Sequence, residues 1–515
     1  MERLLSLCFD PPVHSAVFFT FALVLALLSL SLFLLRSLQA PLCSCDVCAS
    51  YLSSSWSSEF GNLSDWYAHL LRNSPTGTIH VHVLRNTITT NPGNVEHILR
   101  ARFDNYPKGK PFNAILGDLL GRGIFNADGD SWRFQRKMAS LELGSVSVRA
   151  YAFDIVRGEI ETRLVPLLAS RIYGGGGGGA VDLQDVFRRF SFDSICKFSF
   201  GLDPGCLQLS LPMSSFALAF DLASRLSAER AAHVSHVVWK AKRLLNVGSE
   251  RRLRDAVKLV NALAEEVIRQ RRRLGSFATR NDLLSRFMGT VDDDVYLRDI
   301  VISFLLAGRD TVASALTGFF WLLSRNPEVE RLIREESDLI MDGSTGDVLA
   351  SYEQMQRMHY LHAAVHESMR LFPPVQFDSK FASADDVLPD GTVVGGGTRV
   401  TYHPYAMGRM ERIWGPDCLE FRPERWLQDG VFRPESLYKY PVFQAGPRSC
   451  LGKEMAVVEM KSVALALVRR FDVRVMGTAQ QARFSPGLTA TMSGGLPVIV
   501  LERGASSKPP PRVGD

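Results

Sequence analysis

Cysteine is scarce for a chain of this length: eight in 515 residues, at irregular spacing. That excludes a disulfide scaffold, which is short and dense in paired cysteines, and makes a reducing compartment the expectation. Charge of one sign is also lacking. Lys and Arg outnumber Asp and Glu by only 59 to 54, too small an excess over so long a chain to hold a nucleic-acid backbone, so no nucleic-acid partner is expected. No internal repeat is present, which excludes a repeat architecture. One stretch has no charge at all. The 23 positions from Val13 to Leu35 contain no Asp, Glu, Lys or Arg. As a helix rising ~1.5 Å per residue this stretch is roughly 34 Å long, enough to cross a bilayer core. It also exceeds the ~7–15 residue apolar region of a cleaved signal peptide. Residues 13–35 are therefore expected to form an uncleaved transmembrane anchor. The flanking charges Glu2, Arg3 and Arg36 are too balanced to orient it.

What is present is a globular composition, 46% hydrophobic and 22% charged, able to bury a large core. Residues 36–59 read as a juxtamembrane linker. Its Cys43, Cys45 and Cys48 have the look of a metal site, but a structural zinc site needs four ligands and Cys8 lies across the apolar span, so juxtamembrane thiols, open to acylation, are the preferred reading. The six glycines from Gly174 to Gly179 read as a flexible connector, because no Lys-Ser/Thr follows to make a phosphate loop. From residue 60 to 503 the patterns are mostly long helices. Short strands are expected near His80 to Thr89 and Val393 to Tyr402, the second preceded by the turn signal Asp390-Gly391. One large, mainly α domain with a minor β component follows, and residues 504–515, with Pro509 to Pro511, are expected to be a disordered tail.

Four motifs carry chemistry. In Phe443-Gln-Ala-Gly446-Pro-Arg448-Ser-Cys450-Leu-Gly452, a turn-rich loop presents a cysteine just before an amphipathic helix, Gly452 to Arg470. Helix-start amides and the macrodipole favour a thiolate there. Gly446 permits a tight turn, Gly452 a close approach by a flat cofactor, and Arg448 is placed to meet an anion. Upstream, the apolar helix Asp299 to Leu323 is interrupted by Gly308-Arg309-Asp310-Thr311, and buried charges call for partners or a function. For Arg309 a structural ion pair is the preferred reading. Glu367 and Arg370 stand at i and i+3 near the end of a helix that opens with Ser351 and Gln354 in capping-box spacing. Trp132 and Arg136 share a helix face.

The ten-residue string resembles, at every defined position, the haem-binding signature of cytochrome P450 enzymes. By that resemblance the fold is the cytochrome P450 fold, preceded here by the anchor. The cofactor is haem b with Cys450 as axial ligand of the iron, and thiolate ligation favours O–O cleavage. Trp132, Arg136, Phe443, Gly446, Arg448 and Gly452 are the implied cofactor contacts. Asp310 and Thr311 match the acid–threonine pair that delivers protons during oxygen activation, Gly308 leaving space for oxygen; Val312 departs from the Thr or Ser of many members. Glu367, Arg370 and, from Phe421-Arg-Pro-Glu-Arg425-Trp426, Arg425 resemble the family's buried structural triad. A membrane-tethered member implies NADPH-cytochrome P450 reductase as electron donor, an endoplasmic reticulum location and a single-pass topology with a cytosolic catalytic domain. Arg133, Lys137, Lys439 and Lys453 are candidates for a basic docking face.

Ser131–Ser140, Arg370–Lys380 and Thr401–Arg409 are similar to plant fatty-acid ω-hydroxylases. Leu141–Arg149 and the cysteine-rich linker are similar to the subfamily that oxidises jasmonoyl-isoleucine through 12-hydroxy to 12-carboxy products. Phe112, Phe125, Phe304, Val375, Phe377 and Leu488 are the implied pocket residues. The run Val375 to Lys380, apolar and polar by turns, is expected to border the substrate approach. General fatty-acid ω-hydroxylation is the alternative activity, and a non-enzymatic haem sensor or electron carrier the more distant one. The sequon at Asn62 is expected to carry no glycan.

Overall fold

The structure is a computed structural model that describes residues 24–25, 29, 43–173, 180–207, 215–232, 236–275, 282–341, 349–477, 483–485 and 487–503. Apart from Val24, Leu25 and Ser29, the anchor expected at 13–35 lies outside the described residues, as do the glycine connector and the tail. Two compact units are present. The smaller comprises Met1–Trp56 with Val81–Leu84 and contains the helix α1 (Asp46–Ser53). The larger comprises Ser57–His80 with Arg85–Asp515.

The larger unit is mainly helical. The helices that position the site are α2 (Gly129–Leu143), α3 (Leu183–Phe200), α4 (Asp294–Leu323), α5 (Tyr352–Arg357), α6 (His359–Leu371) and α7 (Lys453–Arg470). Helix α4 starts before the expected Asp299, because Asp293 caps it: its carboxylate accepts from the amides of Val295 and Tyr296 at 3.0 and 3.1 Å, filling orphan donors of the first turn. It then runs unbroken through Gly308–Thr311. Among the described residues α4 is the one helix long and apolar enough to cross a membrane, yet 67% of its most apolar stretch is buried inside the protein. It is a core helix.

The single helix expected from Ser351 to Arg370 is instead two. The capping box of Ser351 and Gln354 forms, but Met358 is non-helical and separates α5 from α6. Two polar side chains, half-buried Glu336 and buried Lys461, stabilise the break. The Glu336 carboxylate accepts from the amides of Tyr360 and Leu361 at 2.7 and 2.9 Å, while the Lys461 ammonium donates to the carbonyls of Met355 and Met358. Both ends thus find partners for groups that a helix terminus leaves unpaired.

A four-stranded sheet joins β1 (Thr78–Val81), β2 (Asn86–Thr89), β3 (Asp378–Phe381) and β4 (Arg399–Tyr402) in the order β1-β2-β4-β3. β2 runs parallel to β4, and β3 antiparallel to it with Asp378 opposite Tyr402. A second sheet pairs Phe471–Val475 with Pro497–Glu502 and Val181–Asp182. The main core lies where α3, α4, α6 and α7 meet, through Phe187, Phe190, Leu316, Phe320, Leu361, Ala464 and Leu467. Burying each large apolar side chain contributes about 1.5–3 kcal/mol. Val312 belongs to this core, which explains an apolar residue where a hydroxyl was the alternative. Asn62 is buried as the cap of the helix Leu63–Asn73, accepting from the Asp65 amide at 2.9 Å and donating to the Asp65 carboxylate at 2.7 Å. Its amide is occupied, so absence of a glycan there carries no information about membrane topology.

Candidate functional site

The loop before α7 is pinned by backbone geometry. Gly446 has φ +64°, and a Cβ there would stand 2.1 Å from the Leu99 carbonyl oxygen, so only glycine makes this turn. The Cys450 amide donates to the Phe443 carbonyl at 2.7 Å and closes the loop. Protein surrounds the Cys450 sulfur, yet the side chain remains accessible, so it faces a recess. Gly452, the N-cap of α7, also faces open space: a Cβ there would meet nothing within 4 Å. The helix-start amide favours the thiolate as expected, and burial opposes it. Burial, the largest influence, pushes the Cys450 thiol up, against the Gly452 amide, Arg136 and Lys453, which draw it down. Desolvating one negative charge outweighs a helix start, and a bonded cation is what ionises such a thiol.

Cations gather beside this loop. Arg136 donates to the Ser449 carbonyl at 2.5 Å and to its hydroxyl at 3.2 Å. The Arg448 guanidinium lies 4.6 Å from the ring centre of buried Trp132 and donates to Asp128 at 2.7 Å and to the Ala127 carbonyl at 2.9 Å. Its Nε has no partner. The sequence reading missed the rest of the cluster. Asp378 is held by Lys108 at 2.5 Å, Lys380 at 2.9 Å, Gln444 at 2.9 Å and Tyr402 at 3.1 Å, all in the interior. The visible signal was Asp378-Ser-Lys380 on a strand, whose period of two puts both charges on one face. Burial holds the Lys380 ammonium well below the usual lysine range, with Lys108 and Arg448 adding repulsion. Arg448 thus meets Asp128, Lys108 and Lys380 share Asp378, and Arg136 adds a further cation on Ser449 without a carboxylate partner of its own among these contacts. Buried charge in excess requires counter-charge. An anionic ligand such as haem, with its propionates, suits these basic groups and the unpartnered Arg448 Nε, and the open space at Gly452 leaves room beside Cys450.

On α4, burial pushes the Asp310 carboxyl up, with Arg309 opposing, and its Oδ1 has no hydrogen-bond partner. Burial favours the protonated form of such a group, while Arg309 stands 3.3 Å from that oxygen. The Thr311 hydroxyl donates to the Ala307 carbonyl at 2.6 Å. Arg309 pairs with Asp221 at 2.5 Å between the rings of Phe192 and Phe220, a structural ion pair. Gly308 also has a packing role: a Cβ on it would lie 2.4 Å from Ile195 of α3, so the missing side chain permits close packing of α3 on α4.

Glu367, Arg370 and Arg425 come together in the interior. Arg370 donates to both Glu367 oxygens at 2.8 Å, and Arg425 reaches Oε1 at 3.3 Å. The Arg422 amide and the Trp426 indole add bonds at 3.0 and 2.9 Å. Arg370 also reaches the carbonyls of Gly408, Cys418 and Glu420. The cluster thus ties α6 to the irregular segment leading to the Cys450 loop.

Of the implied pocket residues, Phe112, Phe304 and Leu488 pack on one apolar cluster that also takes in Leu451, beside Cys450. Phe125 is 37% exposed at the surface. Val375 and Phe377 are half-buried, Phe377 with its ring against His403. The polar members of that run are occupied inside the protein: Gln376 accepts from Ser64, Asp378 holds the lysines, and Ser379 bonds Thr401. With those partners taken inside the protein, they do not supply the polar lining expected of them. Of the four basic docking candidates, Arg133 is paired with Asp130 and Lys439 with Glu435. Lys137 is exposed, and Lys453 lies over the Phe443 ring.

Comparison with known proteins agrees with this arrangement. Residues 70–495 match the family described as Cytochrome P450. The chain is 62% identical over 491 residues to Cytochrome P450 94C1 of Arabidopsis thaliana, covering 94% of this chain and 99% of that protein. It is 48% identical to Cytochrome P450 94B1 of the same plant, covering 86% and 88%. The crystal structure of the cytochrome P450DA heme domain shares the fold with a TM-score of 0.68 at 20% identity, over 81% of this chain and 88% of that one. A cysteine in a glycine-pinned loop, a recess with a cation surplus and a 62% identical relative have one common explanation: the chain belongs to the cytochrome P450 family, in its plant 94 branch, and is a haem-thiolate monooxygenase.

Proposed function

We propose that this monooxygenase oxidises the terminal carbon of jasmonoyl-isoleucine, including the 12-hydroxy form onward to the 12-carboxy form. When bound, the thiolate-ligated haem supplies insertion of one atom of O2 into a C–H bond, the other atom leaving as water with two electrons and two protons. The chain's own residues do the rest. Cys450 supplies the thiolate, and Trp132, Arg136, Phe443, Gly446, Arg448 and Gly452 hold the cofactor, joined by Lys108 as a counter-charge for its carboxylates. Asp310, whose carboxyl burial pushes up, is the proton source, and the neighbouring Thr311 hydroxyl relays. The Glu367–Arg370–Arg425 cluster keeps the Cys450 loop in register. Electrons come from NADPH through a reductase at the endoplasmic reticulum membrane, with 13–35 as a single-pass anchor and residues 60–503 in the cytosol.

A terminal methyl C–H is stronger than its methylene neighbours, so selectivity for it comes from holding the chain end in place. Phe112, Phe304 and Leu488, in one cluster beside Leu451, are the side chains that support a narrow apolar approach; Val375 and Phe377 border it. The hormone reading rests on the likeness of Leu141–Arg149 and the cysteine-rich linker to the jasmonoyl-isoleucine-oxidising subfamily. General fatty-acid ω-hydroxylation fits the same apolar cluster. Microsomes bearing the enzyme, given NADPH and offered jasmonoyl-isoleucine, its 12-hydroxy form and lauric acid, decide between them by product analysis. Conversion of the first two in preference to the third is expected, and Val375→Phe shifts oxidation inward along the chain. Efficient oxidation of lauric acid with neither hormone form consumed would establish the fatty-acid reading instead.

A further inference from the structure

The three cysteines of the smaller unit occupy one locus. The sulfurs of Cys43, Cys45 and Cys48 all lie within 4.8 Å of one another, and none is in a disulfide. Local geometry explains the convergence. Cys45 is the N-cap of α1 and Cys48 is three residues on, inside its first turn, a relation that turns the cap side chain toward the third helical residue. Cys43, two residues upstream of the cap on the approaching strand of chain, adds its sulfur to the pair. Cys48 is fully buried and the other two half-buried, so the cluster is partly enclosed.

We propose that Cys43, Cys45 and Cys48 bind a soft, thiophilic d10 cation, Zn2+ or Cu+, as a second metal site independent of the haem. Sulfurs sharing an ion at ~2.3 Å stand roughly 3.8–4.0 Å apart, so the site closes with less than about 1 Å of movement. Thiolates select such ions over hard ones. The objection that zinc needs a fourth protein ligand falls away in two ways: Cu+ is satisfied by three thiolates, and a water molecule completes a tetrahedron around Zn2+. Because only thiolates ligate such an ion, binding releases the thiol protons.

The test uses the full-length holoenzyme in detergent under anaerobic, thiol-reducing conditions. Cd2+ is the probe, because its thiolate charge-transfer absorption reports sulfur ligation directly, and haem iron is quantified separately. Saturation at one Cd2+ per chain is expected, with loss of the band in Cys43→Ser/Cys45→Ser/Cys48→Ser. Each single serine variant weakens Cd2+ binding by at least about 100-fold, more than loss of an outer partner does. Competition by Zn2+ and by Cu+ then identifies the resident ion, and Cys8→Ser serves as the control that retains the band. Cd2+ absorption that survives the triple variant overturns the proposal. So does finding these residues in a disulfide or a hydroxylamine-labile acyl thioester in enzyme isolated in this way.

Discussion

Glu459 carries a prediction whose size and sign both come from the structure. It lies on α7, and its carboxyl borders a small cavity lined by Ile195, Phe198, Gly308, Met455 and Val458. Its Oε1 has no hydrogen-bond partner. Burial alone raises it from the ordinary 4.5 to about 8. The folded state therefore keeps this proton where the unfolded chain releases it. Below pH ~4.5 both states are protonated and the group is neutral in its effect. Above that value folding loses stability by about 1.4 kcal/mol per pH unit until the folded carboxyl ionises near pH 8. The accumulated cost is about 3 kcal/mol at pH 7 and about 5 kcal/mol beyond pH 8. Glu459→Gln keeps the shape and removes the titration. Urea unfolding followed by tryptophan fluorescence, at intervals from pH 4.5 to 9, should show the two proteins coinciding at the acid end. The variant should then pull ahead steadily up to pH 8 and hold a constant lead. Parallel curves across this range, or a wild type that gains on the variant as pH rises, would refute the reasoning.

Cys450→Ser should lose the red-shifted Soret band of the reduced carbon monoxide complex, and an unchanged band would remove Cys450 as the ligand. Asp310→Asn and Thr311→Ala should keep haem and the substrate-induced spectral change while product formation falls ~10²–10⁴-fold, the typical contribution of a positioned proton donor, with reducing equivalents appearing as peroxide. Full coupling in both variants would mean that protons arrive by another route. Glu367→Gln leaves the fully buried Arg370 guanidinium without its counter-charge and should destabilise the fold by about 3–5 kcal/mol, read as a lower urea midpoint and loss of the carbon monoxide spectrum. Arg425→Lys keeps the charge outside the fully buried part of the cluster and should cost less.

Chemistry that depends on neighbours in the chain was legible in the sequence. The Cys450 loop needs a glycine at a positive φ and a cysteine before a helix, both local demands that leave a fixed spacing. The mainly α character, the capping box at Ser351 and Gln354, and the strands near His80–Thr89 and Val393–Tyr402 follow from short-range periodicity and turns for the same reason. Tertiary structure decided whatever depends on residues far apart in the chain. Glu336 and Lys461 split a helix that local pattern made continuous. Ile195, from another helix, gave Gly308 its packing role. Asp378 and Lys380 looked like lining for a substrate until Lys108 and Gln444, hundreds or dozens of residues away, drew them into the cation-rich wall. Burial also opposes the helix start at Cys450, because a helix start is written in the sequence while desolvation is set only by everything that packs around the sulfur.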